Sequence, residues 1–161
     1  MGTLKCRLVA AASRYYSRCM TSSARLFRVI MPVANIDEGA RFYSALLDNP
    51  GFRISGGRHY FQCGPVILAV YDATADGDPA TGKVRSNPQH VYFAVPDLQA
   101  AFARAHKLGG LLSEMGDGGL PMGEIARRPW GEVSFYLDDP WGNPLCFVDE
   151  TSIFRGPSIP A

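Results

Sequence analysis

The 161-residue sequence is poor in several features that would assign it quickly. It has four cysteines, Cys6, Cys19, Cys63 and Cys146, and none forms a CxxC pair or another zinc spacing. Scattered thiols point to a reducing compartment rather than a disulfide framework. No apolar run approaches the roughly 18 residues that a membrane-spanning helix needs. Net charge is only +1, which argues against a dedicated nucleic-acid binder. The glycine-rich stretch Gly116 to Gly123 is followed by no GK[ST] and lacks a strand–loop–helix context, so it is no phosphate loop; it reads as a flap beside a pocket. No Ser-His-Asp elbow and no paired-carboxylate spacing is present.

Acid is missing from residues 1–36, which carry six basic residues, whereas residues 37–161 carry ten basic and fifteen acidic ones. The chain therefore reads as a slightly acidic body behind a basic extension, residues 1–25. That extension is Arg- and Ser-rich. It fits either a mitochondrial transit peptide or a start codon placed too early, with Met20 as the true start. Cytoplasm is the expected compartment, and mitochondrion the alternative if residues 1–25 are a transit peptide.

At 47% apolar residues the body can bury a core. It divides into two halves of the same order, 26–72 and 89–150, followed by a tail, 151–161. In the first half a strand-like run, 26–33, precedes a helix over 36–47, capped by Asn35 with Glu38 three residues on. Strand-like runs follow at 52–55, 59–63 and 66–71. In the second half, strand 90–95 precedes a helix begun by Asp97, with a stripe of Leu98, Ala101, Phe102, Ala105 and Leu108. Gly109-Gly110 closes that helix. Strands are predicted at about 111–115, 132–137 and 145–149. Each half reads β-α-β-β-β. One such unit of about 55 residues buries too little surface to stand alone, so the two must pack together.

Three segments, VIMPVANIDEGARFYSALL, HVYFAVPDLQAAFARAHKLGG and RPWGEVSFYLDDPWGNPLCFVDE, resemble the vicinal oxygen chelate superfamily. That superfamily includes glyoxalase I, bleomycin-resistance proteins and extradiol dioxygenases. The most specific matches are Asp139-Pro140-Trp141-Gly142-Asn143, like the DPxGN turn, and Phe42-Tyr43, like the FY of the first helix. The resemblance implies an α+β fold: two paired βαβββ modules forming a half-open barrel around a pocket. It also implies a divalent metal held by His, Gln or Glu on the first and last strands of each module.

The same resemblance places those four positions at Arg28, Ala69, His90 and Cys146. Ala69 offers no donor atom, and Arg28 is a permanent cation with no acceptor. His90 and Cys146 are the only candidate ligands, too few to hold an ion well. The expectation is therefore no metal cofactor, with Zn, Ni, Mn or Fe as the alternative.

Strand alternation then sorts the side chains. Arg28, Ile30, Tyr71, His90, Tyr92, Ser134, Tyr136, Cys146 and Val148 face the pocket, and Val29, Met31, Val33, Leu68, Val70, Val91, Phe93, Val95, Phe135, Leu137, Leu145 and Phe147 face the helices. Candidate ligand-binding residues are Arg28, Tyr71, His90, Tyr92, Trp130, Tyr136 and Cys146. Arg28 is read as an anion anchor or a salt-bridge member. His90 is an acid–base group or a hydrogen-bonded pocket histidine. Cys146 is a nucleophile or an inert thiol. Trp130 either stacks on a ligand, with Arg127 or Arg128 steering an anion, or plugs the surface beside solvated charges.

The expected function is binding of a small organic ligand, anionic or aromatic, as in bleomycin-resistance proteins. The alternative is a metal-dependent lyase, isomerase or dioxygenase of the glyoxalase type. The expected partner is that small molecule, with no nucleic acid and no membrane. The resemblance also allows a homodimer, since relatives share pockets between chains, and leaves open whether the pocket lies within one chain or between two.

Overall fold

The computed structural model describes residues 24–78, 84–116 and 119–156. Each half forms the expected unit. The first comprises β1 (Arg28–Pro32), α1 (Ile36–Leu47), β2 (Phe52–Ser55), β3 (Arg58–Cys63) and β4 (Val66–Tyr71). The second comprises β5 (Val91–Val95), α2 (Leu98–Leu108), β6 (Ala126–Arg127), β7 (Val133–Asp138) and β8 (Pro144–Asp149). The strand orders are β1-β4-β3-β2 and β5-β8-β7-β6, with β1 parallel to β4 and β5 parallel to β8. These are two separate four-stranded sheets. β1 and β5 are each an outer strand, and no ladder joins the sheets among the described residues.

The second half departs from the expected pattern in one place. The run 111–115 makes only isolated bridges, Leu111 to Leu137 and Met115 to Pro121, and the edge strand is the later pair Ala126–Arg127. The apolar character of 111–115 serves packing instead: Leu111 joins the main core, and Leu112 covers Tyr136 and Cys146.

Local chemistry explains both helices. Asn35 Oδ1 accepts from the amides of Asp37 and Glu38, each at 3.0 Å, and those two acids lie at the positive end of the helix dipole. Asp48 ends α1 in the left-handed conformation at φ 51°. Gly39 lets α1 sit close on the sheet, because a Cβ there would lie 2.8 Å from Val70 Cγ1. Asp97 Oδ1 caps α2 by accepting from Ala100 N at 2.9 Å.

The expected inward–outward sorting holds on the helix side. Met31, Val33, Leu68, Val70, Phe135, Leu137, Leu145 and Phe147 are buried in one core shared by both halves. Phe135 and Phe147 stack at 5.3 Å, and burying one such ring contributes roughly 1.5–3 kcal/mol. Among the described residues no helix is long and apolar enough to cross a membrane.

The halves are joined by a buried polar knot. Asp139 Oδ2 accepts from Tyr43 Oη and from Asn143 Nδ2, both at 2.7 Å. Asn143 Nδ2 also donates to Pro32 O at 2.8 Å, and Asn143 Oδ1 accepts from Asn87 N at 2.9 Å. Thus the turn before β8 binds α1, the end of β1 and the connection between the halves.

Candidate functional site

The pairing register carries the candidate residues onto the faces opposite the helices. Ile30 pairs with Ala69 and Tyr92 with Cys146, so Arg28 and Ala69 lie on neighbouring strands of one sheet, and in the other Cys146 lies on β8 beside β5, which His90 immediately precedes.

In the first sheet, Arg28 is half-buried. Its guanidinium carbon lies 4.9 Å from the Tyr60 ring centroid and 5.1 Å from that of Phe27. Its Nε is buried and has no hydrogen-bond partner, and no carboxylate pairs with it among the described residues. The salt-bridge reading of Arg28 is therefore replaced by an aromatic cradle, which holds a cation through its quadrupole without neutralising it. Tyr71 has a separate partner: the Arg58 guanidinium carbon sits 4.4 Å from its ring centroid. Arg58 is in turn paired with Asp76 at 2.6 Å, and a bond from Ser55, then that from Arg58, lowers the Asp76 carboxyl pKa.

In the second sheet, four candidates come together. The His90 ring lies 5.0 Å from Tyr136 and 6.2 Å from Tyr92 by ring centroids, both edge-on. The Tyr136 ring also lies edge-on to Tyr92 at 6.5 Å, and Tyr136 pairs with Cys146 across β7 and β8. Burial, then contact with Cys146, raises the Tyr136 pKa well above the ordinary phenol value. Burial pushes the Cys146 thiol up to about 12 against the opposing effect of Tyr136 and Ser134. A thiol so buried is protonated at neutral pH, as an inert thiol would be. Asp138 lies in the field of His90; burial raises its carboxyl pKa, and the imidazole pulls it back.

Beneath this cluster lies a cation that the sequence reading left to solvent. Arg128 is only 4% exposed. It donates to Ser134 Oγ at 3.1 Å and to the carbonyls of Pro121, Met122, Glu124 and Ser134 at 2.8–3.1 Å, with its guanidinium 5.0 Å from the Tyr136 ring centroid. It steers nothing at the surface; it ties the glycine-rich segment to β7. The described part of that segment is further held by Met122 N to Glu114 O and Gly123 N to Leu112 O, at 2.9 and 2.8 Å. Residues 117–118 of the flap lie outside the described residues, as do residues 1–23 of the extension.

Trp130 is 42% exposed and donates from Nε1 to Glu132 Oε2 at 2.8 Å. It lines a groove of about 440 Å³ with Tyr92, Val148, Ile153 and Phe154. Tyr92 thus borders both this groove and the His90 cluster. His59 Nε2 donates to Pro50 O at 3.0 Å, and His106 lies against Phe102 in the last turn of α2.

The candidates therefore form two sets, Arg28 and Tyr71 on one sheet, His90, Tyr92, Tyr136, Cys146 and the nearby Trp130 on the other. Among the described residues no hydrogen bond or ring contact joins the sets. Tyr60 was not among the candidates, although alternation along β3 puts it on the face of Ala69, with which it pairs. Arg128 gave no sequence signal, because its neighbour Arg127 has the same charge and stays exposed.

For the metal that the fold's enzymes hold, the donors are a poor fit. Arg28 repels a cation and Ala69 has no donor, which leaves His90 and Cys146, too few to hold an ion well. No three His, Cys, Asp or Glu side chains gather at a ligating spacing among the described residues.

Two βαβββ units with outward helices and tyrosine-rich opposite faces define a paired-module α+β protein. The chain belongs to the Glyoxalase/Bleomycin resistance protein/Dioxygenase superfamily, whose family model matches residues 25–147. Solved structures share the fold. An oxidase, ChaP-H1, is 23% identical over 79% of this chain and 96% of its own, with a TM-score of 0.59. The oxidase ChaP-H2 is 22% identical over 80% and 94%, with a TM-score of 0.60. A lactoylglutathione lyase from Agrobacterium tumefaciens is 18% identical over 80% and 96%, with a TM-score of 0.56. No curated protein sequence matches the chain.

Proposed function

We propose that this protein binds a small organic ligand with an aromatic or apolar body and an acidic or carbonyl group, without the metal site of the family's enzymes. One observation carries the reading: at a position where family enzymes place a metal ligand stands Arg28, cradled by Phe27 and Tyr60, with a buried Nε that lacks a partner among the described residues. A buried donor left unpaired is costly, and an anion would satisfy it. Tyr71, His90, Tyr92, Trp130, Tyr136 and Cys146 are the proposed walls, and none is assigned a covalent step.

Arg28 and the His90 cluster lie on different sheets, so one ligand meets both only where the sheets face each other. A homodimer, the assembly proposed here, supplies such a pairing. No nucleic acid and no membrane enter this reading.

The second reading is a metal-dependent lyase, isomerase or dioxygenase. The names of the solved structures above, two oxidases and a lyase, favour it. It requires donors beyond His90.

A thermal-shift titration with Zn²⁺, Ni²⁺, Mn²⁺, Fe²⁺ and 1-naphthoate separates the two, because binding to the folded state raises Tm by mass action. On the first reading wild type is flat toward metals, responds to 1-naphthoate, and loses that response in Arg28→Met. The Arg28→His/Cys146→Glu double variant acquires a metal response. A strong metal shift in wild type moves the enzyme reading to first place.

A further inference from the structure

A cavity of about 490 Å³ lies between the two modules, lined mainly by helix-facing side chains of the strands and reaching Gln62, Tyr92 and Ala94 of the opposite face at its edge. It exists because β1 and β5 belong to separate sheets, so their helix-facing side chains Val29, Val91 and Phe93 are only partly covered. Leu47 of α1, Leu68 of β4 and Phe147 of β8 complete the apolar wall.

Few polar groups interrupt that wall, and most are occupied. Asn49 Nδ2 donates to Gln62 O at 3.3 Å, and its Oδ1 accepts from Gly51 N at 2.9 Å. Gln62 Nε2 donates to Gly64 O at 2.6 Å. Arg104 differs. Its Nε donates to Leu46 O at 3.0 Å, which tethers the side chain across the module boundary. Its terminal nitrogens meet no carboxylate and no hydrogen-bond acceptor among the described residues.

A tethered guanidinium with a free fork at the rim of an apolar cavity matches one ligand chemistry. The fork fits a carboxylate in a bidentate manner, and the cavity accepts an apolar body of matching size. We propose that this inter-module cavity is a second ligand site, bordering the first at Tyr92 but anchored by Arg104 instead of Arg28, that takes an amphipathic carboxylic acid, with its chain against Val29, Leu68 and Phe93 and its carboxylate on Arg104. Cys63 lines the same cavity, half-buried. Burial raises its pKa, so it serves as a slow reporter of occupancy rather than as a reactive group.

The test uses the full chain and native alkylation by iodoacetamide, read at Cys63 by peptide mass mapping. Decanoate, below its micellar range, is compared with decan-1-ol. Decanoate is expected to slow Cys63 alkylation, with half-protection at about tenfold lower concentration than decan-1-ol, the increment of one charge-assisted hydrogen-bonded contact. Arg104→Met abolishes that difference while leaving the protection by decan-1-ol. Arg104→Lys, which keeps the charge without the fork, retains part of it, and Arg28→Met leaves it intact. Thermal unfolding verifies that each variant is folded. Four results overturn the proposal: no slowing by decanoate, equal potency of acid and alcohol, loss of the effect in Arg28→Met, or protection that rises with protein concentration in the absence of decanoate, which would mean that a second copy fills the cavity.

Discussion

The hydroxyl of Tyr43 donates to Asp139 Oδ2 at 2.7 Å, joining α1 to the turn before β8 across 96 positions of sequence. Tyr43 is the tyrosine of the FY pair, and Asp139 opens the DPWGN turn. The two motifs that mark the family in this sequence are thus two halves of one contact. The carboxylate also accepts from Trp141 N, Asn143 N and Asn143 Nδ2 at 2.7–2.9 Å, so it is buried with full hydrogen-bond compensation.

Removing one side of that contact leaves a buried acceptor short of a donor. Tyr43→Phe is expected to cost about 2 kcal/mol in urea unfolding. In a double-mutant cycle with Asp139→Asn, the two losses should fall short of additivity. Additive losses would mean that the bond contributes nothing beyond packing.

The same tyrosine makes an alkaline prediction. Burial, with Asp139 beside it, raises the Tyr43 pKa well above 10.0. The folded state therefore holds this proton more tightly than the unfolded chain does. That contribution is complete below the unfolded pKa and is lost as pH rises through the folded one. Stability measured from pH 8 to 12 should fall more steeply above about 10 in wild type than in Tyr43→Phe. Parallel profiles would contradict it.

Cys146 should resist thiol reagents. Its pKa is pushed up to about 12, chiefly by burial, and its side chain is fully covered. At pH 8 its alkylation should therefore wait on unfolding, whereas half-exposed Cys63 reacts in the native state. Mass mapping of a native time course, with a urea-unfolded control, reads both. Rapid native labelling of Cys146 would expose an opening in the second sheet.

Arg128 should be irreplaceable by lysine. Three nitrogens of one fork serve Ser134 Oγ and four carbonyls. A lysine cannot reproduce that geometry. Arg128→Lys and Arg128→Met are both expected to lose about 3 kcal/mol or more, and to loosen 119–124 in hydrogen exchange. Arg127→Lys, at the exposed neighbour, should change stability by less than about 0.5 kcal/mol.

The two glycines after α2 should separate sharply. Both have positive φ, 79° at Gly109 and 87° at Gly110. A Cβ at Gly109 meets open space, but at Gly110 it would lie 2.3 Å from the Asp138 carbonyl oxygen. Gly109→Ala is expected to cost about 1 kcal/mol in thermal unfolding, and Gly110→Ala several times more. Equal costs would refute the close approach of this turn to β7.

Much of this protein was legible in its sequence because the signals are local. Caps at Asn35 and Asp97, the period of each helix, and strand alternation depend on neighbours within a few residues, and they established both βαβββ units and the side of each strand that packs under a helix. The segment 111–115 failed that reading because apolar character suits a strand and a core-covering loop equally; only the course of β7 beside it decided which. Contacts between distant segments could not be read from spacing. Arg28 and Arg128 are alike as residues, yet one is cradled by Phe27 and Tyr60 and the other is bound by carbonyls from a loop above it. Burial, not residue type, sets the protonation of Cys146 and Tyr43, and burial exists only once both halves have packed. The sequence by itself determined two modules and their inward faces. The tertiary structure alone decided that the sheets stay separate, that Tyr43 meets Asp139, and that a cavity with Arg104 at its rim lies between the modules, because each of these depends on how surfaces far apart in the chain fit together.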